Sequence, residues 1–115
     1  MTVSRLPDYL NHMRQAIADA LSFTEGMAQP DFERDKRTQQ AVVMSLIVLG
    51  EAATKIMDQH AEFVAQHAEI PWRSMRGMRN RIAHGYFDID LAVVWDTLQT
   101  ALPMLKVQLD SIVSE

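Results

Sequence analysis

The sequence has no cysteine among its 115 residues. This absence excludes disulfide bonds and thiolate metal sites, and it suits a reducing compartment. His12, His60 and His67 do not stand at metal-ligand spacing with an acidic residue. We therefore expect no metal and no other cofactor.

Long apolar runs are also missing. The longest run, residues 41–50, is interrupted by Ser45 and falls well short of the roughly 20 residues that a membrane-spanning helix needs. The N-terminus lacks a basic segment followed by an apolar one, so no secretory signal is predicted. We expect a cytoplasmic chain that does not contact membranes.

An overall excess of positive charge is absent as well, since the net charge is −4. Such a balance does not suit a general nucleic-acid coat, which binds by neutralising phosphates. The cations are nevertheless clustered, because residues 71–86 contain four arginines and no acidic residue. Any contact with a polyanion is expected at this segment.

Apolar residues recur at steps of three and four along most of the chain, which predicts helices. The predicted helices cover residues 5–25, 32–59, 61–67, 70–84 and 90–113, with a kink at Pro103. The composition is 48% hydrophobic and there is no internal repeat. The sequence therefore predicts one domain over residues 1–115 and an all-α, up-and-down bundle of four to five helices.

The second predicted helix contains a stretch, residues 41–49, that is apolar on every face. A buried strand is the competing interpretation, but the surrounding pattern of more than 20 residues without a turn favours a helix. A helix that is apolar all round must be covered on more than one side. We expect the core on one side and a second subunit on the other. Gly50 is interpreted as a close helix crossing, and Glu51 with Lys55 as a surface ion pair.

The residues suited to chemistry lie between positions 70 and 86. Histidine exchanges a proton near neutral pH, and arginine is a permanent cation suited to phosphate. His84 and one of the four arginines could therefore cleave an RNA phosphodiester without a metal, with His84 moving the proton and the arginine stabilising the transition state. The alternative is a solvated helix face with a few ion pairs and a histidine that caps the helix.

Helix geometry complicates a shared site for Arg79 and His84. Five residues of an ideal helix rotate by about 500°, so the two side chains diverge by about 140°. Either the helix opens at Ala83 and His84, or a second copy of the chain completes the site. A two-fold dimer would also account for the apolar stretch of the second helix.

The segment Arg79-Asn-Arg-Ile-Ala-His84-Gly-Tyr86 resembles the Arg-x4-His-x-Tyr motif of HepT-like proteins in the HEPN superfamily. The flanking Ile70-Pro-Trp-Arg and the second-helix stretch Ile47-Val-Leu-Gly-Glu-Ala-Ala53 are similar too. The resemblance implies a homodimer with a composite cleft built from both motifs. It also implies a metal-independent endoribonuclease, with Arg79 and His84 catalytic, that is the toxin of a toxin–antitoxin module.

The resemblance further implies a partner, an MNT-type nucleotidyltransferase antitoxin that adds AMP to Tyr86. An added phosphate beside His84 would compete with RNA for the same arginines. The candidate contacts to RNA phosphates are Arg73, Arg76, Asn80 and Arg81. The alternative function is a non-catalytic helical dimer that binds and assists a nucleotidyltransferase, which would not need Arg79 and His84 together.

Overall fold

The structure is a computed structural model that describes residues 4–85 and 88–112. Its described residues form helices and connecting turns, so the predicted all-α fold is confirmed. The helices are α1 (Leu6–Phe23), α2 (Gln29–Arg34), α3 (Lys36–Gln59), α4 (Ala61–Gln66), α5 (Trp72–Gly85), α6 (Leu91–Asp96) and α7 (Leu102–Asp110).

Helix α1 forms because its apolar residues return to one side every three or four positions. Leu10, Met13, Ile17 and Ala20 are all buried, and this side packs against α3. The chain turns after α1 at Gly26, whose φ of 79° lies in the left-handed region that glycine adopts without steric cost.

The prediction of one helix over residues 32–59 is wrong, because the chain breaks at Asp35. Asp35 has an extended backbone and caps α3, its side chain accepting hydrogen bonds from the backbone N–H of Thr38 (3.1 Å) and from its hydroxyl (2.8 Å). These bonds satisfy an N–H group that has no partner within the helix at its N-terminus. They stabilise the non-helical backbone of Asp35 over a continuous helix. They also lower the pKa of Asp35 below its usual 3.8.

Helix α3 is the central element of the bundle and packs against both α1 and α5. Its apolar stretch is helical, so the strand interpretation is excluded. Helix α3 is long enough and apolar enough to cross a membrane, since the mean hydropathy of an 18-residue window is 1.4. Core helices have the same properties, and eight residues of α3, among them Val42, Leu46, Ala53 and Ile56, are buried.

The apolar stretch of α3 is not covered all round by its own chain. Met44 is 59% exposed and Val48 is 40% exposed, whereas their neighbours Leu46 and Leu49 are buried. Within one chain, then, the core covers one side of this stretch and solvent meets the other.

The last predicted helix is helical from Leu91 to Asp110 but not regular. Between α6 and α7, residues Thr97–Ala101 form a π-helical turn just before Pro103, which has no backbone N–H to donate. The wider turn takes up an extra residue, and Ala101 within it is exposed. Leu98, Leu102, Leu105 and Leu109 are buried.

Candidate functional site

Helix α5 carries the arginine-rich segment and holds it against α3. Pro71 precedes its first residue, a position where the missing N–H costs nothing. Trp72, Met75 and Ile82 are buried, and the indole N–H of Trp72 donates a hydrogen bond to the carbonyl of His67 (3.0 Å). The segment is therefore fixed to the core along one side.

The two helices approach closely at Gly50, which confirms the interpretation of this glycine as a helix crossing. A β-carbon added to Gly50 would lie 2.4 Å from the β-carbon of Arg79 and 2.8 Å from the carbonyl oxygen of Met75. Only glycine leaves room for this approach. The crossing therefore holds the β-carbon of Arg79 against the backbone of α3.

Arg79 does not extend freely into solvent, because its guanidinium is held on α3. Nη1 donates to a carboxylate oxygen of Glu51 (2.5 Å), and Nη2 donates to the hydroxyl of Thr54 (3.2 Å). The predicted ion pair between Glu51 and Lys55 is wrong. Glu51 points to the neighbouring helix and forms its ion pair with Arg79 across the crossing.

The remaining candidate phosphate contacts divide into two groups. Arg76 pairs with Asp58 of α3 at 2.8 Å, whereas Arg73, Asn80 and Arg81 are exposed. The alternative interpretation, a solvated helix face with a few ion pairs, fits this arrangement too, because Arg76 and Arg79 are paired and the other arginines are exposed. Those exposed arginines are also available to a polyanion.

His84 is exposed in the last turn of α5. Helix α5 continues through His84 and Gly85, so it does not open at Ala83 and His84. Within one chain, helix geometry then directs His84 about 140° away from Arg79. The structure does not bring these two residues together in a single subunit. Tyr86 lies outside the described residues.

His84 instead shares an exposed stripe of α5 with residues that precede it at helical spacing. Arg73, Gly77, Asn80 and His84 follow at steps of four, three and four, which places them on one side of a helix. A β-carbon at Gly77 would have no neighbour within 4 Å. This stripe is open to a large ligand or to another chain.

The exposed apolar residues of α3 lie between the candidate site and α1. Val48 precedes Glu51, the partner of Arg79, by three residues, and both are exposed, so they share one side of α3. Met44 and Val48 also line a groove with residues of α1, among them Phe23. We call Met44 and Val48 the apolar patch. It extends from the candidate site toward α1.

No group of three or more potential metal ligands occurs in the part of the chain that the structure describes. The polar groups nearest Arg79 are one carboxylate and one hydroxyl, from Glu51 and Thr54. A single carboxylate is a poor site for Mg²⁺, which needs further oxygen ligands.

Comparison with known proteins identifies the family. The profile described as "Ribonuclease HepT-like" matches residues 13–112, nearly all of the chain and the whole of the site just described. The chain belongs to this family, and the resemblance seen in its motif is confirmed.

Individual relatives agree with this assignment. A Thermococcus cleftensis protein named "Probable ribonuclease HepT" is 40% identical over 86% of this chain and 87% of its own length. A candidate RNase of Methanocaldococcus jannaschii is 31% identical over 96% of this chain and 85% of its own. One of Caldanaerobacter subterraneus subsp. tengcongensis is 30% identical over 93% of both chains. No solved structure matches significantly.

Two residues at the site were missed by the sequence interpretation, namely Glu51 and Thr54. A signal was present, because Glu51, Thr54 and Asp58 recur at helical spacing directly after the apolar stretch. That pattern indicates a polar side of α3. It could not tell which neighbouring helix, or which of four arginines, would face it.

Proposed function

We propose that this chain is a metal-independent endoribonuclease, the toxin of a toxin–antitoxin module, working as a homodimer with a composite site. Membership of the ribonuclease HepT-like family supports the activity, as do relatives named as ribonucleases. The observation that carries the proposal is the intact motif, with Arg79 anchored at the helix crossing and His84 exposed.

The chemistry follows from the groups that this motif supplies. Without a metal-bound hydroxide, the nucleophile at hand is the 2′-hydroxyl of RNA itself. Its oxygen attacks the adjacent phosphorus as a base takes its proton, the bond to the 5′-oxygen breaks, and that oxygen receives a proton. The products are a 2′,3′-cyclic phosphate and a 5′-hydroxyl. His84 moves a proton, and Arg79 stabilises the extra negative charge on phosphorus-bound oxygens.

A second subunit would supply the His84 or Arg79 that a single chain cannot bring to the same phosphate. Arg79 and His84 point to different sides of a regular helix, so one phosphate cannot contact both within a single chain. The apolar patch begins one helical turn from Glu51, the partner of Arg79, and has the character of a surface covered by another protein. A two-fold dimer formed there would place the motifs of both chains around one cleft.

In this proposal the cleft is silenced by the partner nucleotidyltransferase, which adds AMP to Tyr86. Tyr86 follows His84 by two residues in the motif. The added phosphate, placed beside His84, would compete with RNA phosphate for the exposed Arg81 at the same end of α5 by charge and hydrogen bonding. RNA and the modification would then compete for the same groups.

The first test measures RNA cleavage by the purified wild-type chain and its variants. The second measures whether expression of each one without the partner arrests cell growth. We expect His84→Ala and Arg79→Ala to abolish cleavage and the growth arrest seen on expression without the partner. Lys106→Ala is the control, because Lys106 is exposed on α7 and belongs to neither the motif nor the apolar patch. Cleavage should persist in excess EDTA and stop when the 2′-hydroxyl at the cleaved bond is replaced by hydrogen.

Two results would contradict the proposal. Wild-type rates in His84→Ala and Arg79→Ala would remove both residues from the mechanism. A chain that cleaves no RNA but binds a nucleotidyltransferase and raises its activity would support the alternative function of a non-catalytic helical dimer.

A further inference from the structure

We infer that Glu51 and Thr54 are positioning residues for Arg79, and that they hold its guanidinium ready before RNA binds. The inference rests on the proposed function, since it assigns the two residues to the same site. It concerns how α3 contributes to a motif that lies entirely on α5.

Three contacts from α3 fix the Arg79 side chain along its length. Gly50 receives its β-carbon, Glu51 accepts a hydrogen bond from Nη1, and Thr54 accepts one from Nη2. An arginine held only at its stem would sample many rotamers and would lose that freedom on binding RNA. Anchoring both ends of the guanidinium removes most of that loss in advance.

The anchors leave donors for the substrate. A guanidinium has five N–H groups, and Glu51 and Thr54 take one from each Nη. The Nε–H is buried and has no partner among the described residues, so RNA does not reach it. One N–H on each Nη remains for an acceptor on the substrate.

A carboxylate beside a phosphate site could instead act as a competitor that RNA must displace. The geometry favours positioning for two reasons. Thr54, a neutral group, holds the same guanidinium on the same side. The Nε of Arg79 is also buried, so the side chain is packed against the protein up to its guanidinium, which leaves that group little room to follow a phosphate.

The experiment compares Glu51→Ala, Glu51→Gln and Thr54→Val in steady-state RNA cleavage. Positioning predicts that Glu51→Ala lowers kcat by about 10-fold or more with little change in KM. Glu51→Gln should keep most of kcat, because its amide oxygen accepts the same hydrogen bond, and Thr54→Val should show a smaller loss than Glu51→Ala. Asp110→Ala, which breaks the Lys106–Asp110 ion pair on α7, is the matched control.

Three results would overturn the inference. A wild-type kcat in Glu51→Ala would show that Arg79 needs no anchor. A lower KM with unchanged or higher kcat would identify Glu51 as a competitor. A loss in Glu51→Gln as large as in Glu51→Ala would mean that the charge or a proton of Glu51 takes part directly.

A second measurement separates this inference from the proposed function. Thermal unfolding of Glu51→Ala, Arg79→Ala and the double variant forms a cycle that needs no enzymatic activity. We expect coupling, with the double variant less destabilised than the sum of the single changes. Additive effects would reject the anchor. If the cycle shows coupling while the wild type cleaves no RNA, the proposed function fails and the anchor stands.

Discussion

Arg79 of α5 lies against Gly50 of α3 so closely that any side chain on Gly50 would collide with its β-carbon. The next residue of α3, Glu51, then binds the far end of the same arginine. One short stretch of α3 thus fixes both the stem and the guanidinium of a candidate catalytic residue. This coupling of packing and chemistry underlies the first prediction.

Two glycine-to-alanine changes on neighbouring helices should have opposite effects on stability. Gly50→Ala places a β-carbon 2.8 Å from the Met75 carbonyl, and such overpacking costs about 1–3 kcal/mol. Gly77→Ala meets nothing within 4 Å, and alanine in a helix is favoured over glycine by about 1 kcal/mol. Chemical denaturation measures both differences.

The same pair probes the site. We expect Gly50→Ala to lower RNA cleavage because Arg79 is displaced. If Gly77→Ala raises stability but lowers cleavage, the exposed stripe of α5 is closely approached by RNA or a second chain in the active state. A Gly50→Ala variant as stable as the wild type would contradict the crossing geometry.

The apolar patch predicts where the chain self-associates. Met44→Glu and Val48→Glu introduce a charge at positions exposed in one chain, so each should fold but lose the dimer. Sedimentation should give a mass near twice 13.1 kDa for the wild type and near one chain for the variants. Val107→Glu, at an exposed apolar position on α7, should remain dimeric. Wild-type mass in both patch variants would place the interface elsewhere.

Tyr86 is predicted to be the position at which the proposed nucleotidyltransferase partner silences the chain. Incubation with the cognate nucleotidyltransferase and ATP should add one or more AMP units to the intact chain, as measured by mass spectrometry. The modified chain should no longer cleave RNA, and Tyr86→Phe should be neither modified nor silenced. If Tyr86→Phe is modified and silenced like the wild type, the switch lies at another residue.

The Asp35 cap predicts a pH-dependent contribution to stability. Its hydrogen bonds from Thr38 lower the pKa of Asp35 in the folded chain below 3.8. The stabilisation is therefore fully present above pH 3.8 and is lost as the pH falls through the lower folded value. Asp35→Ala should lower the melting temperature at neutral pH, and its difference from the wild type should shrink in acid.

Asparagine provides the control for this cap, because it accepts the same backbone hydrogen bond without titrating. Asp35→Asn should stay closer to the wild type at neutral pH, and its advantage over Asp35→Ala should not fade in acid. A difference between wild type and Asp35→Ala that is constant across this range would argue against the cap.

The order of helices could be predicted from the sequence because helical periodicity is local. The helical spacing of Met13, Ile17 and Leu98 is enough to predict that they are buried, and they are. The break at Asp35 was missed, although Asp35 and Thr38 stand at capping distance in the sequence, because the surrounding apolar pattern suggested one helix. The π-helical turn before Pro103 was also missed, since the position and form of a distortion depend on how the helix packs.

By itself, the sequence determined the helical class and the motif that contains Arg79, His84 and Tyr86. These depend on neighbours along the chain. Only the tertiary structure decided that Glu51 pairs with Arg79 rather than with Lys55, and that Met44 and Val48 are the uncovered side of α3. The physical reason is that the helix packed alongside α3 determines both its ion pairs and its exposed face. The spacing of residues within α3 does not reveal which helix packs there.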